Sequence, residues 1–196
     1  MLKLPQVTFI ALTDYKFDEH KAVADKVCQD IEFGDVKIIY DRSINHDVNN
    51  WNRKIVYDLW KYVDTEFAFL FHADGYPIRP DLWRDDFLNY DYIGAPWPLP
   101  QDNYSYRTPK GELVRMGNSV SIRSQAMMRA PFELDLPWKS YYGNTNEDGF
   151  LCVHNRHILE ERGLHFAPLE MAKYFSKEHS IPENEGIDTF AFHQIG

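Results

Sequence analysis

The sequence predicts an α/β fold: a single domain with a mixed, mostly parallel sheet flanked by helices. Three observations carry this. Short apolar runs, each long enough for one buried strand, alternate with segments whose apolar residues recur at helical spacing. In the first half the order is strand, helix, strand, helix, strand, the βαβ pattern that sets strands parallel. Finally, a chain of 196 residues, 44% of them hydrophobic, suits one compact domain with a full core.

The first strand is expected over residues 7–12 (Val-Thr-Phe-Ile-Ala-Leu). A helix over 18–31 follows, because Val23, Val27 and Ile31 fall on one face. Residues 36–40 form the next strand. Trp51, Ile55, Leu59 and Tyr62 then repeat at helical spacing after a cap at Asp47 or Asn49. Residues 67–71 are a third strand that ends abruptly in His72-Ala73-Asp74-Gly75.

Beyond this point the pattern is less regular. Pro80 opens a short helix over 80–83, and residues 92–95 make a short strand stopped by Pro96-Trp97-Pro98. Residues 99–112 are polar and aperiodic, the composition of an active-site flap. A strand over 113–122 precedes a short helix through Ala130 capped by Ser124. Asn146 is positioned to cap a helix over 147–162 that stops at Gly163. Phe190-Ala191-Phe192-His193 alternates as an ordered strand would.

The charge balance narrows the function classes. Lys plus Arg number 21 against 30 Asp plus Glu, a net charge of -9, which argues against nucleic acid as a partner. A diphosphate ligand would then need a metal cation or a local Arg/Lys cluster. Cys28 and Cys152 read as buried thiols in a reducing compartment. No charged-then-apolar leader precedes the first strand and no apolar run is long enough to span a bilayer, so the expectation is a cytoplasmic protein without a transmembrane segment.

Three constellations could carry chemistry. His72 and Asp74 stand at the carboxyl end of a buried strand, where α/β sheets bind ligands. They could grip Mg or Mn through oxygen, with imidazole suiting Mn, or they could simply form a polar turn. Asn146-Glu147-Asp148-Gly149 opens a helix; acidic helix starts are common, but Tyr141-Tyr142-Gly143-Asn144-Thr145 before it could set a carboxylate beside a sugar as general base. Gly117-Asn118-Ser119 inside a strand is either a bulge or a place of close approach. His154 and His157 lack partners at zinc spacing and read as a solvated or core-edge pair.

Taken together, Phe71-His72-Ala73-Asp74, Leu82-Trp83, Tyr92-Ile93-Gly94-Ala95-Pro96-Trp97, Gly117-Asn118 and Glu147-Asp148 occur in an order that resembles a family of small bacterial GT-A-type, Rossmann-like glycosyltransferase domains long catalogued as of unknown function. A fainter similarity to the β-1,4-galactosyltransferases rests on Asn52-Arg53 and on residues 143–148. The resemblance implies a hexosyltransferase-like enzyme with a nucleotide-binding half over about residues 1–80 and an acceptor-binding half over about 81–196. Sugar would pass from a nucleotide-diphosphate donor, UDP-sugar favoured, to a carbohydrate or glycoconjugate hydroxyl. The setting would be surface polysaccharide synthesis, at the inner face of the cell membrane.

Residue by residue, the resemblance implies that Leu12, Thr13, Asp14 and Tyr15 hold the nucleobase, with Arg53 near the nucleotide. Asp74 would bind the metal, Mn or Mg, with His193 completing its shell. His72 stands where the family has the first Asp of its Asp-x-Asp motif. Asp148 would be the general base, Glu147 would contact a sugar, and Trp97, Gly117 and Asn118 would form the acceptor wall. The competing readings are a non-catalytic nucleotide- or sugar-binding domain, a nucleotidyltransferase and, remotely, a metallohydrolase.

Overall fold

The computed structural model describes residues 1–139 and 146–194. Its core is a five-stranded mixed sheet of β1 (Leu2–Thr13), β2 (Ile31–Tyr40), β3 (Phe67–Leu70), β5 (Tyr92–Pro96) and β6 (Met116–Ser124), in the order β2-β1-β3-β6-β5. The first three strands are parallel; β6 runs antiparallel to β3, and β5 antiparallel to β6. The mixed α/β architecture expected from the sequence is the one observed.

The apolar run in β1 is continuous because both faces of the sheet are covered. Successive side chains point to opposite faces, so Phe9 and Ala11 enter one hydrophobic cluster while Ile10 and Leu12 enter the other. On the first face pack Val23, Ala24 and Val27 of α1 (Phe17–Val27) and an aromatic group centred on Phe9 and Phe71, whose rings stack at 3.9 Å. On the second pack Ile55 of α2 (Val48–Asp58) and Leu59 just beyond it. Asp47 caps α2, its carboxylate accepting from the Asn49 and Asn50 N–H groups.

Two helices differ from expectation. The helix expected over 18–31 ends at Val27, and Ile31 begins β2, where it is buried in the sheet's register opposite Leu2. The helix expected over 147–162 is broken into α4 (Glu147–Gly149), a π-turn over Phe150–His154 and α5 (Arg156–Glu161). Asn155 marks the break, its amide donating to the Phe150 carbonyl, and Asn146 makes no side-chain cap. By contrast α3 (Gln125–Glu133) is capped by Ser124 as expected, with Oγ accepting from the Met127 N–H.

A second, three-stranded sheet was not foreseen. It comprises β4 (Gly75–Pro77), β8 (Ala191–His193) and β7 (Ser176–Lys177), in the order β4-β8-β7; β7 follows α6 (Leu169–Phe175) directly. The chain enters it through a tight reversal after β3, where His72 and Gly75 exchange backbone hydrogen bonds of 2.8 and 3.2 Å. Gly75 is required there: a Cβ would lie 2.5 Å from Val120 and 2.7 Å from the His193 ring. Cys28 and Cys152 are free thiols, Cys152 buried and Cys28 partly exposed. No helix among the described residues is long and apolar enough to cross a membrane.

Candidate active site

Two clefts open at the end of the central sheet where β1 and β3 finish and β6 begins. Leu70 pairs with Ser121, so Asn118 and Ser119 of the antiparallel β6 lie beyond the β3 terminus, beside His72.

The first cleft, about 450 Å³, is lined among others by Thr13, Tyr15, His72, Asp74, Ser119 and His193. Leu12 and Asp14 line it too, so the strand-end residues expected to act together do converge. Trp51 braces them by donating from Nε1 to the Leu12 carbonyl at 2.7 Å. Asp14 is nearly buried, and its carboxylate accepts from the His46 N–H, tying the residue 42–47 turn to the end of β1. Tyr15 stands exposed at the rim. Arg53, expected near the nucleotide, is exposed on α2 and lines neither cleft. Among the described residues no Lys or Arg lines the first cleft, although four histidines and three aspartates do.

Three of these form its floor. The His193 Nε2 lies 3.8 Å from Asp74 Oδ1, and the other Asp74 oxygen accepts from the Gln194 amide at 2.9 Å. The His72 ring packs between Trp51 and His193, with centroids at 5.3 and 5.2 Å, and its Nε2 is sealed from solvent without a hydrogen-bond partner. Enclosure first, and the neighbouring His193 second, push its pKa down to about 3, so the imidazole is neutral. The expectation that His72 joins Asp74 and His193 as a third metal ligand meets a packed ring instead. Among the described residues no three His, Cys, Asp or Glu side chains are spaced to hold a metal by themselves.

The second cleft, about 730 Å³, lies under the polar segment of residues 97–107 and is lined by Asp148, Glu178, His154, Tyr104 and Tyr106 among others. The segment expected to be a flap does form one wall. Tyr106 sits in left-handed backbone geometry (φ 53°) and stacks on Trp97 at 5.0 Å. Trp97, expected to offer an apolar face, lines this cleft but is largely covered. Its ring is 6% exposed, with Tyr106 on it and the Cα of Gly117 beneath it, where a Cβ would come within 2.0 Å. Gly117 therefore makes room for Trp97, which lines the cleft together with the tyrosines.

Asp148 opens into this second cleft, held by backbone N–H groups of Asn118 at 3.2 Å and Gly149 at 2.7 Å. Its packed surroundings, and then the adjacent Glu147 charge, raise its pKa to about 7. Asn118, expected to contact sugar, is 1% exposed and has φ 94°, a left-handed geometry Asn tolerates better than most residues. That geometry lies in a bulge of β6 opposite β5 and aims the Asn118 N–H at Asp148.

Glu147, expected to touch substrate, is fully buried and cannot. Its Oε2 lies 2.5 Å from the guanidinium of Arg123, itself 1% exposed. Arg123 also donates to Ser121 Oγ and to the Tyr92 hydroxyl, and Tyr92 donates in turn to the Asn118 carbonyl at 2.6 Å. The Glu147 N–H donates to Asn52. The Glu-Asp doublet is therefore divided: one carboxylate anchors α4 to the sheet, and the other is presented. The Tyr141–Thr145 stretch expected to flank it lies outside the described residues.

Arg123 and Glu178 were not singled out from the sequence. Arg123 had a readable signal: a lone charge in a strand otherwise buried on both faces needs an internal partner. Glu178 had none, since only the small sheet brings it near His193. The two clefts adjoin. His193 of the first lies 3.7 Å from Glu178 of the second, and Ser119 of the first follows Asn118, the donor to Asp148.

Comparison with known proteins gives a family and a similar fold. Residues 40–193 match a family described as "Protein of unknown function (DUF5672)". The fold is similar to the crystal structure of a glycosyltransferase involved in the glycosylation of the major capsid of PBCV-1: 11% identity, TM-score 0.55, covering 97% of this chain and 93% of that one. No curated protein sequence matches the chain.

Proposed function

The chain belongs to the DUF5672 family, and we propose that it is a glycosyltransferase that moves a sugar from a nucleotide-diphosphate donor to an acceptor hydroxyl. The observation that carries this reading is the pair of adjoining clefts at one end of the sheet, with the Asp74–His193 pair in one and Asp148 in the other. The shared fold with a glycosyltransferase supports it.

The first cleft suits the donor. Its strand-end position is where α/β sheets take nucleotides, and Tyr15 at the rim offers a flat face to a base. With no Lys or Arg in its lining, charge on a diphosphate calls for a cation. Asp74 Oδ1 and His193 Nε2 face each other 3.8 Å apart and supply a carboxylate oxygen and an imidazole nitrogen, a donor pair that fits Mn or Mg. Such ions are commonly held by one or two side chains plus substrate phosphates. When bound, the cation would neutralise charge developing on the departing diphosphate.

The second cleft suits a neutral, hydroxyl-rich acceptor: Tyr104 and Tyr106 offer aromatic surface, while Asp102, Asp148 and Glu178, against Arg107, leave an acidic excess that would disfavour an anionic one. Asp148 takes the proton of the attacking hydroxyl as the new glycosidic bond forms at the anomeric carbon. The bond to the diphosphate breaks on the opposite side, inverting configuration and releasing nucleoside diphosphate. Assembly of a surface polysaccharide or glycoconjugate is the setting that this chemistry would serve.

Turnover of a panel of nucleotide sugars, with and without Mn, tests the reading. Within it, Asp74→Ala is expected to abolish most of the Mn-dependent gain in nucleotide affinity measured by calorimetry, leaving metal-free binding little changed. Equal Mn dependence in variant and wild type would remove Asp74 from the site.

A pH profile tests the base. The Asp148 carboxylate must be ionised to accept a proton and its pKa is about 7. Hence kcat is expected to fall about tenfold per pH unit below that value and to level off above it. A profile flat from pH 5 to 8 would exclude Asp148 as base.

A further inference from the structure

The small sheet sets three ionisable side chains in a row. Gly75 pairs with His193, and Lys177 with Phe192, so Asp74 at the start of β4 and Glu178 just past β7 flank His193 at the end of β8. The ring presents one nitrogen to each: Nε2 to Asp74 at 3.8 Å and Nδ1 to Glu178 at 3.7 Å. Nδ1 is buried and has no hydrogen-bond partner among the described residues. The two carboxylates differ in setting. Glu178 is 20% exposed, whereas Asp74 is 55% exposed and hydrogen-bonded to Gln194. Charge–dipole interaction is stronger where solvent screens less, so Glu178 exerts the larger pull on the ring.

We infer that Glu178 is a positioning residue that holds the Nδ1–H form of His193, leaving the Nε2 lone pair facing Asp74 for a divalent cation. This rests on the donor-cleft reading and deepens it. Histidines that ligate metals generally donate their other ring N–H to a carboxylate or carbonyl, which fixes tautomer and orientation. The buried Nδ1 gains its acceptor through a shift of a few tenths of an ångström in the Glu178 side chain, whose other oxygen lies 3.5 Å from His179. Because Glu178 also lines the second cleft, the contact runs through the wall between the clefts and ties acceptor-side geometry to the cation site.

Two measurements on the full chain test this. The first is long-range ¹H–¹⁵N correlation of the imidazoles in metal-free protein at about pH 9, above the ordinary histidine pKa of about 6.5. Its His193 signals are identified by their loss in His193→Asn. Wild type and Glu178→Gln, whose amide oxygen still accepts, are expected to show Nδ1–H, and Glu178→Ala to revert to Nε2–H. The second is calorimetric titration of Mn into protein with UDP, GDP or dTDP. Glu178→Ala is expected to weaken Mn uptake about 10–100-fold, with most of the loss restored in Glu178→Gln.

A purely structural glutamate would lower thermal stability and move neither readout, which overturns the proposal. So does Nε2–H in wild type. So does Glu178→Ala with unchanged Mn affinity and a raised acceptor KM, which would assign Glu178 to the acceptor alone. Wild-type protein taking up no Mn with any of the three nucleotides overturns the donor-cleft reading and this proposal with it. Mn uptake that Glu178→Ala leaves untouched overturns only the proposal.

Discussion

Asp148→Asn is expected to lower kcat by about 10²–10⁴-fold, the usual contribution of a positioned base, while nucleotide affinity stays within about twofold of wild type. The amide is nearly isosteric with the carboxylate, and its one oxygen can still accept from the Gly149 N–H, while the bond from the Asn118 N–H to the second carboxylate oxygen is lost. The side chain keeps its size and one of its two backbone donors but loses the capacity to take a proton. The acidic limb of the pH profile should vanish with it, because the group whose ionisation produces that limb is gone. Turnover within a few fold of wild type would mean another group takes the proton. Nucleotide binding lost together with activity would mean that Asp148 serves the donor.

The largest effect on stability is expected beneath that residue. Arg123→Met removes the partner of Glu147, which is fully buried and otherwise uncompensated. Breaking one side of a buried ion pair costs about 3–5 kcal/mol. At about 2–4 °C per kcal/mol for a chain this long, Tm should fall by roughly 6–20 °C. Differential scanning calorimetry measures it, and a fall under about 2 °C would show the pair to be dispensable. Changing both members, Arg123→Met with Glu147→Met, is expected to recover much of the stability, since paired apolar replacements are often neutral or better. Activity should not recover with it. The Tyr92–Arg123–Glu147 network joins the Asn118 carbonyl to the first residue of α4, and so fixes both the donor to Asp148 and the backbone that bears Asp148. Stability and catalysis are thus expected to separate in the double variant.

How far the sequence reached depended on whether a feature was local. The strands at residues 7–12 and 67–71 and the Asp47 and Ser124 caps were legible, because apolar periodicity and capping depend on neighbours a few positions apart. So was the convergence of Thr13 and Asp74 on one sheet end, since parallel βαβ order puts strand ends on one side. Asp148, by contrast, reaches the neighbouring cleft on α4, beyond the antiparallel strands. The split of Glu147 from Asp148 was not legible. Two adjacent acids look equivalent in sequence, and only the approach of Arg123, 24 positions away, buries one and leaves the other in the cleft.

The alternation of apolar strands and helices by itself determined a mixed α/β sheet with candidate ligand-binding residues at its carboxyl edge. Tertiary structure alone decided which polar side chains serve that edge and which support it. It seated Trp97 on Gly117, enclosed His72 between two rings and set Glu178 beside His193. The reason is one of range: backbone hydrogen bonding and burial pattern repeat along the chain. The surroundings of a single carboxylate or imidazole are made by segments distant in sequence, and those are adjacent only after the core has packed.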